Sequence, residues 1–198
     1  MVKIKMCGLR REEDIKYANI LRPEYIGFVF ALKSKRYVEK EQARILSRLL
    51  CDDIVKVGVF VNSPLEYIYS LFREDIIDMA QLHGDEDEEY IKDLKIRNIP
   101  TIKAFKIKSK NDIIEAENSF ADFVLLDSGS GSGESFDWSL IDIKRDYFLA
   151  GGLNAENVAQ ALRRLSPFAV DVSSGIEREG YKSFEKMLEF KNIVRGEI

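Results

Sequence analysis

Eight short strand-like runs recur along this chain, each followed by a stretch with helical spacing. They run from Val2 to Cys7, Tyr25 to Phe30, Val55 to Val61, Ile77 to His83, Pro100 to Ile107, Phe123 to Asp127, Tyr147 to Ala150 and Phe168 to Val172. Between them, sets such as Gln42/Ile45/Leu46/Leu49, Val158/Ala161/Leu162/Leu165 and Phe184/Met187/Leu188 are spaced by three and four residues, the period of a helix with one buried face. Helix starts are marked too. Ser63-Pro64-Leu65-Glu66 reads as a cap, a proline at the first helical position and the glutamate of a capping box, while Ser109 and Asn154 stand where N-caps would fall. Strict alternation implies a parallel sheet with right-handed crossovers. Eight units in 198 residues leave about 25 residues each, close to the lower bound for a single (β/α)8 TIM barrel. An open doubly wound sheet is the alternative, and the count of eight favours closure.

Hydrophobic residues make up 45% of the chain and charged ones 32%, enough core for one domain over residues 1–198 and no run near the roughly 18 apolar residues of a membrane span. The start, Met1-Val2-Lys3-Ile4, enters a strand at once, so no signal peptide is expected. Cys7 and Cys51 form neither a disulfide framework nor a metal knuckle, so a cytoplasmic protein without a metal site is expected. A net charge of −4 with no basic stripe argues against a nucleic-acid partner. A monomer or a homodimer is expected. The one low-complexity segment, Ser128-Gly129-Ser130-Gly131-Ser132-Gly133, has a strand before it and another βα unit after it, which makes it a mobile loop on the active face in preference to a linker.

Barrels of this class build their sites from the loops that follow the strands. Two such loops, Ala150-Gly151-Gly152-Leu153-Asn154 and Asp171-Val172-Ser173-Ser174-Gly175, follow the seventh and eighth runs. Small residues there let backbone N–H groups approach an anion, so Gly151, Gly152, Ser173, Ser174 and Gly175 are expected to hold the phosphate of a small phosphorylated substrate. Neither a P-loop nor a dinucleotide fingerprint is present.

The ordered set Lys5-Met6-Cys7-Gly8, Gly27-Phe28-Val29-Phe30, Ser34-Lys35-Arg36-Tyr37, Gln81-Leu82-His83-Gly84, Leu126-Asp127, Gly131 to Trp138, Gly151-Gly152-Leu153 and Asp171 to Gly175 resembles the phosphoribosylanthranilate isomerase family from the first strand to the last helix. That resemblance implies an Amadori rearrangement in tryptophan biosynthesis, with Cys7 as general base, Asp127 as general acid and no metal or organic cofactor, because the substrate nitrogen is the electron sink. Two departures stand out: the loop after Asp127 is short and lacks the charged residues often found there, and Lys35 replaces a common proline.

The proposed roles ask much of both groups. Ionising a cysteine of pKa about 8.5 at neutral pH costs roughly 2 kcal/mol, and keeping an aspartate of pKa about 3.9 protonated costs roughly 4. Lys5, on the same strand face as Cys7, would favour the thiolate, and a coupled pair sharing one proton is expected. Cys51 reads as a small core residue at a helix end. His83, the one histidine, reads as a structural hydrogen-bonding group or a substrate contact. Asp171 would either pair with Lys5 or bind a sugar hydroxyl, and Arg36 would clamp the anthranilate carboxylate through two hydrogen bonds. Rival phosphosugar barrels fit less well, since they use paired aspartates or metal-binding histidines. A barrel that binds a phosphorylated ligand without turnover would have no need of both Cys7 and Asp127.

Overall fold

The computed structural model describes residues 1–127 and 138–196. Eight parallel strands, β1 (Lys3–Cys7), β2 (Tyr25–Val29), β3 (Val55–Phe60), β4 (Met79–Leu82), β5 (Thr101–Lys106), β6 (Phe123–Asp127), β7 (Tyr147–Ala150) and β8 (Ala169–Val172), pair in sequence order. The sheet closes because β8 also pairs with β1, in the register Lys3↔Ala169, Ile4↔Val170, Lys5↔Asp171 and Met6↔Val172. The expected (β/α)8 barrel is therefore the observed architecture. Outside it lie α1 (Glu12–Leu21), α2 (Lys40–Leu49), α3 (Leu65–Arg73), α4 (Glu88–Ile96), α5 (Lys110–Asn118), α6 (Val158–Arg164) and α7 (Phe184–Arg195). A two-stranded hairpin, β9 (Glu177–Arg178) and β10 (Tyr181–Lys182), follows β8.

Alternation along each strand divides the apolar residues between two cores. Ile4, Met6, Ile26, Phe28, Val124 and Leu126 point outward and pack under the helices, together with Ile15, Leu46, Ile68, Ile91 and Met187. Tyr25, Val57, Met79, Ile102, Leu125, Phe148 and Ala169 fill the interior. The lower end is plugged by rings: Phe148 meets Tyr25 at 5.3 Å and Phe123 and Phe168 at 5.7 Å between centroids. Lys3 sets its ammonium 4.2 Å from the Phe168 ring centre. With that end shut, the barrel opens at its upper mouth, where the strands lead into the helices.

Three local expectations need correction. The glutamine-to-leucine stripe of α2 is rotated: Ala43, Leu46 and Ser47 are buried, whereas Gln42, Ile45 and Leu49 are exposed, Ile45 by 57%. A small residue, Ala43, faces the neighbouring elements, and the pattern of large apolar residues misses it. In α3 the first helical bonds are accepted by the Pro64 carbonyl, from Tyr67 and Ile68, so Glu66 falls one position short of a capping box and pairs with Arg97 instead. The sixth crossover carries, among the described residues, one 3₁₀ turn (Trp138–Leu140) in place of a helix. The two caps differ. Ser109 is the N-cap of α5, its N–H donating to Asp112, whereas the N-cap of α6 is Asn157 and Asn154, three residues earlier, instead accepts from Glu156 and Asn157 through Oδ1. The glycine-serine loop of 128–133 lies outside the described residues.

Candidate active site

Side chains that point inward at the last inward position of a strand, or just beyond it, line the mouth. Cys7, Val59, Gln81, His83, Lys106, Asp127, Ala150, Asp171 and Ser173 do so around a cavity of ≈ 410 Å³, with Arg36, Gly151, Gly152, Leu153 and Ser174 completing it. Every sequence-derived site residue except Gly175 is on that wall. Gly175 lines an adjoining hollow of ≈ 390 Å³, which shares Gly152 and Ser174 with the first. It is packed so tightly beneath the preceding loop that a Cβ would come within 2.1 Å of the Leu153 carbonyl oxygen.

Cys7 ends β1 opposite Gly27 of β2. The absence of a side chain at Gly27 is what admits the sulfur, since a Cβ there would lie 2.7 Å from Sγ. Burial pushes the Cys7 thiol up, the Lys5 ammonium pulls it down, and Lys182 adds to that pull. Lys5 is wholly buried and donates to Asp171 Oδ1 at 3.0 Å. Burial works to neutralise that lysine, but Asp171 and the Cys7 sulfur outweigh it and its pKa is raised. Of the two readings left open for Asp171, the pairing with Lys5 is realised, and the same carboxylate also faces the cavity.

A second charged cluster was not legible as part of the site. Lys182 of β10 folds back beneath β8 and donates to the Ser173 carbonyl at 2.9 Å and to Glu177 Oε1 at 2.7 Å. Burial lowers its pKa in spite of Glu177. Glu177 also takes Arg36, whose Nε and Nη2 donate to its two carboxylate oxygens at 2.6 and 2.8 Å. Burial alone would raise the Glu177 carboxyl, yet Arg36 and Lys182 together hold it down to about 2. The two-toothed edge of Arg36 expected to clamp a ligand is thus already used within the protein, and among the described residues the Nη1 donors and the second N–H of Nη2 lie outside that pair. The only trace of this in the sequence is the Glu-x₄-Lys spacing just past the last strand.

On the opposite wall, His83 Nε2 lies 3.4 Å from Asp127 Oδ2, and His83 Nδ1 lies 3.2 Å from the Gln81 amide nitrogen. Gln81 and Lys106 were missed as cavity residues. Both sit at alternating inward positions, Gln81 two before His83 and Lys106 beside Asp127 across β5 and β6, so the period of two could have found them. The Gly151-Gly152 turn has positive φ at both residues, +96° and +65°, and is pinned by Asn157, whose side-chain amide donates to the Gly152 carbonyl at 3.0 Å. Cys51 is away from the cavity, its N–H bonded to Asn19 Oδ1. Among the described residues no three of His, Cys, Asp or Glu converge to hold a metal ion, and no helix is long and apolar enough to cross a membrane.

Comparison with known proteins points to one family. The profile of the N-(5'-phosphoribosyl)anthranilate (PRA) isomerase family matches residues 4–192. A protein of Thermoanaerobacter sp. (strain X514) bearing the name N-(5'-phosphoribosyl)anthranilate isomerase is 48% identical, over 99% of each chain. Among solved structures, phosphoribosyl anthranilate isomerase from Thermotoga maritima superposes with a TM-score of 0.90 at 38% identity, covering 99% of this chain and 100% of that one. A phosphoribosyl anthranilate isomerase in complex with reduced 1-(o-carboxyphenylamino)-1-deoxyribulose 5-phosphate superposes with a TM-score of 0.88 at 37% identity, with the same coverage.

Proposed function

Since this chain belongs to the N-(5'-phosphoribosyl)anthranilate isomerase family, we propose that it converts N-(5-phosphoribosyl)anthranilate to 1-(2-carboxyphenylamino)-1-deoxyribulose 5-phosphate, with Asp127 as general acid and Cys7 as general base. The observation that supports the assignment of roles is that one cavity holds a carboxyl group at the end of β6 and a thiol at the end of β1, with two small-residue loops at its edge. In the first step Asp127 gives a proton to the furanose ring oxygen while the anilino nitrogen pushes its lone pair toward C1. The C1–O bond breaks and an iminium forms. In the second step the Cys7 thiolate takes the proton from C2, and the electrons of the C–H bond flow into the iminium to give the enolamine, which tautomerises to the product ketone. The nitrogen supplies the electron sink, so no cofactor enters.

Each neighbour has a task in this scheme. Lys5 and Lys182 favour the thiolate that burial opposes, so the resting group is mostly thiol and the reactive form a minority. Backbone N–H groups of the Gly151-Gly152 and Ser173-Ser174 loops, with Gly175 beneath them, would hold the phosphate, and Arg36 would reach the anthranilate carboxylate through Nη1. His83 would orient Asp127, and Asp171, paired with Lys5, would be placed to accept from a sugar hydroxyl. The enzyme would work in the cytoplasm as a monomer or homodimer.

The test is turnover followed as loss of the substrate's anthranilate fluorescence. Cys7→Ala and Asp127→Asn should each lose roughly 100- to 10,000-fold in kcat with the fold retained, the usual worth of a general acid or base. Cys51→Ala should be silent. Parental turnover by Cys7→Ala would overturn the base assignment.

A further inference from the structure

β4 sends two side chains to the same wall of the cavity, Gln81 and, just past its end, His83. Gln81 is 2% exposed, and its Oε1 is a buried atom with no hydrogen-bond partner among the described residues. Burying an amide oxygen without a partner is unfavourable, and a methionine would fill a similar volume without that penalty. Its amide nitrogen is the group that does something: it lies 3.2 Å from His83 Nδ1. An amide nitrogen can only donate, so in this orientation of the amide Nδ1 is the acceptor and the proton of a neutral imidazole sits on Nε2. The other end of the ring asks for the same tautomer, because Nε2 faces Asp127 Oδ2 at 3.4 Å, a separation of the kind that tightens once substrate is in place. An N–H aimed at Oδ2 makes that oxygen an acceptor and drives a carboxyl proton onto the other one.

We propose that Gln81 is a positioning residue for the isomerisation: by holding His83 as the Nε2–H tautomer it selects the oxygen of Asp127 that carries the transferred proton. The inference rests on the reading of Asp127 as general acid. With the opposite tautomer, a bare Nε2 would accept the proton of Asp127 and turn it away from the sugar.

The chain contains one histidine, so the imidazole nitrogens of the ¹⁵N-labelled full-length protein give one unambiguous pair of signals. At a pH where the ring is neutral, the parent should show a protonated Nε2 and a bare Nδ1. Gln81→Met should show a mixture of tautomers and lose about tenfold or more in kcat, with KM nearly unchanged, since the substrate's anionic ends are held elsewhere. Gln81→Glu, which offers an acceptor to Nδ1, should draw a proton onto that nitrogen and lose kcat in the same way. A parent ring protonated on Nδ1 overturns the proposal without any variant having to fold. So does a Gln81→Met that keeps the pure Nε2–H signal, or one that changes tautomer at parental kcat. Parental turnover by Asp127→Asn would overturn the acid assignment and the proposal with it, whereas an inactive Asp127→Asn beside a fully active Gln81→Met overturns the proposal alone.

Discussion

At the scale of single residues, the thiol of Cys7 stands between opposing influences: burial and Asp171 raise its pKa, and Lys5 and Lys182 lower it. Lys5 cannot be removed cleanly, because its loss would strand Asp171 in the barrel. Lys182 offers the better test, since Glu177 keeps Arg36 as a partner when the lysine is gone. Lys182→Met removes a positive charge that favours the thiolate, so the acidic limb of the kcat/KM profile should move to higher pH while the plateau changes little. Alkylation of Cys7 by iodoacetamide, measured in a Cys51→Ala background, should move in the same direction. An unmoved profile would remove Lys182 from the activation of Cys7, the proposed base. Cys7 and Asp127 were legible in the sequence because each ends an apolar strand inside a recognisable motif. Lys182 was not, because it acts from a hairpin beyond the last strand, and nothing in a local pattern says that a lysine tip will fold back to the mouth. Arg36 was legible as a residue but not in its partner, since Glu177 lies 141 positions away.

At the scale of elements, strands were read more truly than helices. An inward strand residue is marked by a period of two that holds on both faces of a closed barrel. A helix face in so small a barrel is set by where a small residue lets it approach, as Ala43 does, and large apolar residues such as Ile45 and Leu49 are left outside. The aromatic plug follows directly from the strand pattern: Tyr25, Phe123 and Phe148 are inward residues, and Phe168, just before β8, packs against them. It is distant in function from the mouth. Phe148→Ala should therefore cost about 3–5 kcal/mol of stability in urea unfolding, as buried aromatic truncations do, while kcat stays within a few-fold of the parent. A loss under about 1 kcal/mol would mean that the plug is loosely packed and the lower end held by other contacts.

At the scale of the whole molecule, two partly buried carboxylates join parts of the chain far apart in sequence. Glu24 accepts from the Ile4 N–H and from Arg195, and these contacts hold its pKa down against the burial that would raise it. Glu177 joins the loop after β2 to the hairpin after β8 and is held at about 2. A carboxylate with a depressed folded pKa stabilises fully above its unfolded value of 4.5 and loses that contribution as the pH falls toward its folded value. Urea midpoints should accordingly be level above about pH 5, then fall steadily toward pH 2, with a shallower fall in Glu177→Gln. A level midpoint throughout would contradict the stabilising role. The closure of the barrel was read from a count of eight, but its register, Lys5 against Asp171, joins residues 166 positions apart and has no local signature. That seam also places the event in time. Contacts so distant along the chain are expected to close after neighbouring strands have paired, since their loop-closure cost is the largest. Ser173 reaches the Cys7 carbonyl, and Asp171 reaches Lys5, only across that seam. No half-built barrel, however complete its strands and helices, contains Cys7 in its full surroundings. Catalysis should thus serve as a clock: in a refolding chain its return should lag the recovery of secondary structure, and the lag would be the time taken for the first strand to find the last.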